Sequence, residues 1–313
     1  MVEKRKYFRP KYSKRFKRFL QDNTEVISKI FSIVKTFKPN IFNTYRYSSV
    51  NPPLNPLYKY TEKLYIGCII YVMKYSSTWE SFIGPIGGKQ VHKRHMEYLN
   101  NNIYKIFFDE SLNEYLKTCT IKHKNTTKNF QIDATIGNNK LCEDAIKNNP
   151  YNKNRKGIKT SLVTDSLGAI FDVLGADSAV HDSKLAKKNI KNITNNKIIM
   201  RSFRRHNNKA IFLADSAYDT KAIKKMINDL GLRSIIKQNK RNTKDPAKIQ
   251  KLTKHEKKVY NRRIKAEHTF GILKKAPKVN CVYEKTIESY LGIILLTSAI
   301  MNINKTNRLI NKR

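Results

Sequence analysis

Two spacings of apolar residues divide this chain. From Tyr58 onward the first is helical: Leu64, Cys68, Tyr71, Val72 and Tyr75 recur at steps of three and four. That spacing lines one face of an amphipathic helix. Residues 77–88 hold Trp79 and three glycines and read as a turn. A second helix is expected over about 89–100, carrying Lys89, His92, Lys93 and Arg94. Helix, turn and basic helix in that order suggest a helix-turn-helix reader of nucleic acid. A plain helical subdomain fits the same spacing.

Past Asn125 the period shortens to two. Residues 130–136, Phe-Gln-Ile-Asp-Ala-Thr-Ile, alternate as a strand does. Further strands are expected over 160–164 and 169–174, with Gly168 at the hairpin turn between them. A helix over 185–191 comes next, then a short apolar strand, 210–214, that ends at Asp215. A helix over 220–230 is stopped by Gly231, and 233–237 is another strand. A long helix over about 257–275 ends before Pro277, and a last one covers about 287–302. Strands followed by alternating helix and strand give an α/β layered domain. The longest apolar stretch, 291–300, falls short of the roughly 18 residues of a membrane span, so no membrane partner is expected.

Charge narrows the partners. The chain has 63 Lys and Arg against 24 Asp and Glu, a formal net charge of +39. A surface that repels itself so strongly fits a polyanion, because each neutralised phosphate releases counterions. With 40% hydrophobic residues among 313, a real core can form and disorder is not expected. Residues 1–20 read as a basic arm studded with Tyr7, Phe8, Tyr12, Phe16 and Phe19. The run Asn51-Pro52-Pro53-Leu54-Asn55-Pro56 breaks any helix and reads as a linker. The expected division is therefore 1–57, arm and linker; 58–122, helical DNA-binding region; and 123–313, catalytic domain. The N-terminus has no apolar centre of a signal peptide. The four cysteines form no C-x-x-C pair. An intracellular, DNA-associated protein that is not secreted is the expectation.

Against so many cations, the acids are informative by position. Asp133 lies inside an apolar strand, Asp215 ends another, and Glu267 sits in a cationic helix. Carboxylates on three elements can converge to hold Mg²⁺ or Mn²⁺, hard ions that take oxygen ligands and bind phosphates. Two such ions support phosphodiester cleavage and transfer. Each acid also has a structural reading. Asp215 has a rival in Asp219, and Glu267 can pair with Arg263 four residues before it.

Tyr260, Arg263, Glu267 and Lys274 stand as Y-x2-R-x3-E-x6-K. Arg263 and Glu267 share a helix face, with Lys274 two turns beyond. The arrangement resembles the YREK signature of bacterial insertion-sequence transposases of the DDE type. Ile132-Asp133-Ala134-Thr135 is similar to that family's first-Asp strand, and Leu213-Ala214-Asp215-Ser216-Ala217-Tyr218-Asp219 to its second. Arg155 to Thr160, then Asp165, Gly168 and His181-Asp182, resemble the segment between those two strands. Trp79 and the basic helix after Gly88 are similar to the N-terminal DNA-binding region. Ser216-Ala217 and His268 depart from the pattern but spare the acids.

The resemblance implies a ribonuclease-H-like mixed sheet flanked by helices, behind a small all-α helix-turn-helix region. It implies catalytic, metal-binding roles for Asp133, Asp215 and Glu267 with two Mg²⁺ or Mn²⁺ ions. It places Tyr260, Arg263 and Lys274 on the transposon end. Lys89, Lys93, Arg94 and Lys159 are expected to contact DNA as well. The partners implied are double-stranded DNA, as terminal inverted repeats and as target, and a second copy in a homodimer assembled on DNA. A metal-dependent nuclease that does not transpose, or an inactive DNA-binding derivative, are the alternatives.

Overall fold

The computed structural model describes residues 14–37, 62–76, 78–122, 129–139, 156–204, 210–242 and 251–311. The chain forms two compact units, 1–103 and 104–313.

The first unit is helical: α1 (Lys14–Asp22), α2 (Thr24–Phe37), α3 (Glu62–Tyr75) and α4 (Gly88–Asn100). Here the expectation of a basic arm is corrected for residues 14–20. Phe16 and Phe19 recur at helical spacing and are buried. Each packs edge-on against Tyr71 with ring centroids 5.1 Å apart. Burying two phenyl rings outweighs the repulsion of the exposed Lys and Arg around them, since each buried ring contributes roughly 1.5–3 kcal/mol. In α2, Val26, Ile27, Ile30, Ile33 and Val34 form the buried stripe. Residues 1–13 of the expected arm and the linker 51–56 lie outside the described residues. Between α3 and α4, Trp79 stacks on His92 and His95 at 5.2 and 4.9 Å. A Cβ at Gly88 would stand 2.0 Å from the Trp79 carbonyl, so the turn closes only on glycine.

The second unit opens on α5 (Ile103–Lys122), all but whose first residue lies in that unit, ahead of the expected division at 122. Strands β1 (Asn129–Asn139), β2 (Gly157–Asp165) and β3 (Ile170–Asp177) follow, then α6 (Asp182–Asn195) and α7 (Lys197–Arg204). Next come β4 (Ile211–Ala214), α8 (Lys221–Asp229), β5 (Arg233–Ile236), α9 (Lys254–Tyr260) and α10 (Ile264–Leu273). A short α11 (Pro277–Asn280), β6 (Cys281–Val282) and α12 (Ile287–Asn311) close the chain.

The sheet order is β3-β2-β1-β4-β5, with β6 on the far end of β1. β1, β2 and β3 are antiparallel neighbours, while β4 and β5 run parallel to β1. This is a ribonuclease-H-like mixed sheet with helices on both faces. Gly168 turns the β2–β3 hairpin at φ +78°, as expected, and Gly231 ends α8 at φ +71°. The buried Asp165 fixes that hairpin by accepting the N–H groups of Leu167 and Ala169, each at 2.9 Å.

Side chains alternate across the sheet. On one face Ser161 donates to Asn189 of α6 at 2.7 Å, and Asn189 donates to Asp172 at 2.8 Å. The opposite face carries Gln131, Asp133 and Thr135, in register with Thr164, Leu162 and Thr160. α10 and α12 cover that face. α12 is pinned to the β3 edge by Asn302, whose amide bonds both the N–H and the C=O of Ile170 at 2.8 and 2.9 Å.

Three expectations about helices are revised. α12 runs to Asn311, which makes it long and apolar enough by composition to cross a membrane; 78% of its apolar window is buried inside the unit, as in a core helix. The helix expected over 257–275 is two helices, α9 and α10, joined by a 3₁₀ turn at Asn261–Arg263. Pro277, expected only as a stop, occupies the first turn of α11, where its missing N–H costs nothing.

Candidate active site

The site is assembled where β1 and β4 part. Their parallel pairing ends at Gln131 and Leu213, two residues before Asp133 and Asp215. With a period of two, both aspartates lie on the face of these pairs, on adjacent strands. Such strands stand about 4.8 Å apart. Leu213, Ile235 and Val259 form the apolar cluster that seats α9 on β4 and β5, with Tyr260 packed against it. The 3₁₀ turn and the first turn of α10 then bring Arg263 and Glu267 over the same strand ends. Ala266, Phe270 and Leu273 are the buried side of α10, so Glu267 stays on its rim, exposed.

Arg263 is the common partner of the acids. Its Nη2 is 2.9 Å from Glu267 Oε1 and its Nη1 is 3.9 Å from Asp133 Oδ2. The charge of Asp215 acts on it as well. The guanidinium lies 5.9 Å from the centre of the Tyr260 ring, and the charges of Asp215 and Arg263 act on that phenol. Burial pushes the Asp133 carboxyl up to about 6. The Ala134 N–H and Arg263 pull it down; Glu267 and Asp215 push it further up. Burial likewise raises the Tyr260 phenol and lowers the Lys274 ammonium.

The two aspartates have second duties. Asp133 accepts the Ala134 N–H at 2.9 Å. Asp215 accepts the Ser216 N–H at 2.6 Å and caps the 3₁₀ turn Ser216–Tyr218. Its rival Asp219 is buried, accepts the Asn239 N–H at 2.8 Å and pairs with Lys224 at 2.5 Å. Asp219 is thereby occupied in holding β5 and α8, and Asp215 is the acid that faces the cluster. Lys274 donates to Thr135 at 2.6 Å, two residues beyond Asp133 on the same face.

Asp133, Asp215, Glu267, Tyr260 and Arg263 are thus gathered at one place, with Lys274 beside them. Lys159 is not. It lies on the opposite face of the sheet, pairs with Asp182 at 2.7 Å and donates to the Val180 carbonyl at 2.6 Å. His181 caps α6, accepting the Ser183 N–H. In the first unit Lys89 and Lys93 are exposed one turn apart on α4. Arg94, expected at DNA, is instead 2% exposed. It pairs with Glu62 at 3.4 Å and Glu97 at 2.6 Å and lies over the Tyr65 ring. Its helix face is turned inward, which its charge alone does not reveal. Thr135 has no charge to mark it; the period of β1, which sets it on the face of Asp133, is the signal that brings it beside Lys274.

Among the described residues, no three His, Cys, Asp or Glu are grouped closely enough to hold a metal ion as they stand. Arg263 supplies the positive charge between the acids. The donor set nonetheless suits a hard divalent ion: carboxylate oxygens, with one carboxyl held above its ordinary range by burial.

Strand order and acidic cluster together define a ribonuclease-H-like domain with its candidate site at the strand ends. The sequence matches the family described as "Transposase DDE domain" over residues 120–300, and the chain belongs to that family. No match is found among curated proteins. Among solved structures, one similar chain is described as "Crystal structure of a pre-cleavage Mos1 transpososome". It has 9% identity and a TM-score of 0.33, over 64% of this chain and 62% of that one. Another is "Mos1 transposase paired-end complex with left transposon end", at 10% identity, TM-score 0.24, 56% and 63% coverage. This chain therefore spans somewhat over three-fifths of those chains, and such scores add nothing to the strand order as evidence of fold.

Proposed function

We propose that this protein is a DNA transposase that cuts phosphodiester bonds at the ends of a mobile element and joins the freed 3′-ends to target DNA. The observation that carries this reading is that Arg263 pairs with Glu267 at 2.9 Å and stands 3.9 Å from Asp133, with the charge of Asp215 acting on the same guanidinium. Two Mg²⁺ or Mn²⁺ ions held by these acids would supply the charge that activates the attacking oxygen and stabilises the leaving one. The protein's own groups do the holding. Asp133, within β1, and Asp215, just past β4, are fixed by backbone N–H groups, and Glu267 by its place on α10. Arg263, Tyr260 and Lys274 present two cations and a phenol to the phosphates of a transposon end. Lys89 and Lys93 on α4 also grip DNA. Arg94 and Lys159, occupied by internal acids, are assigned no DNA contact.

The substrate is double-stranded DNA, both terminal inverted repeats and target. Two ends must be joined, so the working form is a homodimer on DNA, inside the cell. The net charge of +39 supports a polyanionic partner.

The test is strand nicking and 3′-end joining on DNA carrying the element's own ends, with Mg²⁺ or Mn²⁺. Asp133→Asn, Asp215→Asn and Glu267→Gln should each remove nearly all turnover while fold and DNA affinity persist. The losses should not add, because the three act as one unit. Near wild-type cleavage by Asp133→Asn would overturn the site assignment. Cleavage without any joining would make the protein a nuclease instead.

A further inference from the structure

α6 carries a row of lysines that the candidate site does not use. Lys184, Lys187, Lys188 and Lys191 stand at i, i+3, i+4 and i+7, which gathers them on one helix face. All are exposed, and among the described residues none of them pairs with an acid. Asp182, the one acid of α6, is turned to Lys159 at 2.7 Å. The other side of the helix, with Leu185, Ala186, Ile190 and Ile193, is buried, and α6 packs on β2 and β3. α8 packs beside α6 and adds the exposed Lys221 and Lys225.

Like charges one turn apart repel and weaken a helix. The complement of such a row is a polyanion whose charges repeat at a similar spacing. From Lys184 to Lys191 the row is about 10.5 Å long, which covers about three steps of a DNA strand at ~3.4 Å each. Its place in the fold separates it from the acids. α6 lies on the sheet face of Ser161 and Asn189, while α10 covers the face of Asp133. Each helix layer is about 10 Å thick, so with the sheet between them the outer surfaces of α6 and α10 are more than about 20 Å apart. Duplex DNA is stiff over such lengths. One straight stretch lying on α10 does not also lie along α6.

We propose that the α6 lysines, with Lys221 and Lys225 beside them, form a second docking surface for duplex DNA. It holds a stretch other than the one whose strand meets the acids. The contacts are to phosphates, so this surface reads no sequence. The inference rests on the proposed function in taking DNA as the polyanion.

The experiment counts duplexes per chain. The full chain, as wild type and with Lys184→Gln, Lys187→Gln, Lys188→Gln and Lys191→Gln combined, is titrated to saturation with a short random duplex by fluorescence anisotropy. Gln keeps the helix propensity of Lys, and the row's repulsion is relieved, so the variant should melt no lower than wild type. Wild type should take up a second duplex per chain that the variant does not. The salt dependence of that second binding should be steep, since each phosphate contact contributes a slope of about 0.9. A stoichiometry that the substitutions leave unchanged would overturn the inference, because the lysines would then be solvated or would serve the same duplex as the acids. A wild type that binds no duplex would overturn the DNA reading and this surface with it. A wild type that holds the second duplex but neither nicks nor joins would overturn the proposed function and leave this surface standing. Should the combined variant not fold, the pairs Lys184→Gln with Lys188→Gln and Lys187→Gln with Lys191→Gln decide. Each should weaken the second duplex by about tenfold or more, and an unchanged affinity in both refutes the role.

Discussion

Arg94 and Glu62 are 2% and 7% exposed, and each carries a charge that the interior alone would not tolerate. Burial raises the Glu62 carboxyl, while the Tyr98 hydroxyl and Arg94 pull it back. Removing one partner of a buried pair leaves the other uncompensated, at about 3–5 kcal/mol. Arg94→Ala is therefore expected to lower the stability of the chain by that order in a urea titration. Lys89→Ala and Lys93→Ala, on the same helix, should leave stability unchanged and weaken DNA binding. If Arg94→Ala instead unfolds at the wild-type midpoint and loses DNA affinity, the pair is incidental and the arginine is a DNA contact after all. Sequence spacing cannot separate these cases, because three cations on one short helix look alike until the fold decides which face turns inward.

At the scale of elements, α10 shows where legibility begins and ends. Y-x2-R-x3-E-x6-K places Arg263 and Glu267 one turn apart, and the ion pair at 2.9 Å agrees. The strand pattern around Asp133 and Asp215 likewise puts both acids at the right depth in the sheet, because alternation fixes a face directly. The 3₁₀ turn at Asn261–Arg263 is not legible: its residues are all compatible with a continuous helix, and packing of Tyr260 and Val259 on β4 and β5 imposes the break. The helices of residues 14–37 are hidden in the sequence because charge masks the apolar spacing. Gly271 is the odd member of α10. It is a helix-interior glycine, and a Cβ there would meet nothing within 4 Å. Gly271→Ala should therefore stabilise the protein by about 0.5–1 kcal/mol, read as a higher melting temperature. A destabilised variant would mean that the helix needs glycine's backbone freedom at that point.

Across the whole molecule, buried acids tie stability to pH. Asp165 and Asp172 are both pushed up to about 6, first by burial, with hydrogen bonds from Tyr115 and from Asn189 and Asn192 acting against it. A carboxyl raised in the fold favours folding while protonated. That contribution is complete below the ordinary carboxylate range near pH 4 and is lost as pH rises through about 6. Relative to wild type, Asp172→Asn should thus gain stability between about pH 4 and 6 and show no further relative change above it. Urea midpoints at a series of pH values test this. A constant difference across the range would mean that Asp172 is ionised alike in both states.

Arg263 has a consequence for the order in which the molecule assembles its ligands. The free protein already carries a cation among its acids, so an entering ion must exchange with that guanidinium. On the proposed reading, DNA phosphates would offer Arg263 another anion and draw it outward. Ion and DNA are then positively linked, and linkage is reciprocal: each tightens the other by the same factor. Mn²⁺ titrations with and without duplex should give a clear ratio of affinities in the wild type. In Arg263→Ala the ratio should shrink towards one, with ions held more tightly than in wild type when DNA is absent. An unchanged ratio would mean that the coupling runs elsewhere. On the proposed reading, a protein away from DNA would hold its ions loosely and grip them firmly only where there is a strand to cut.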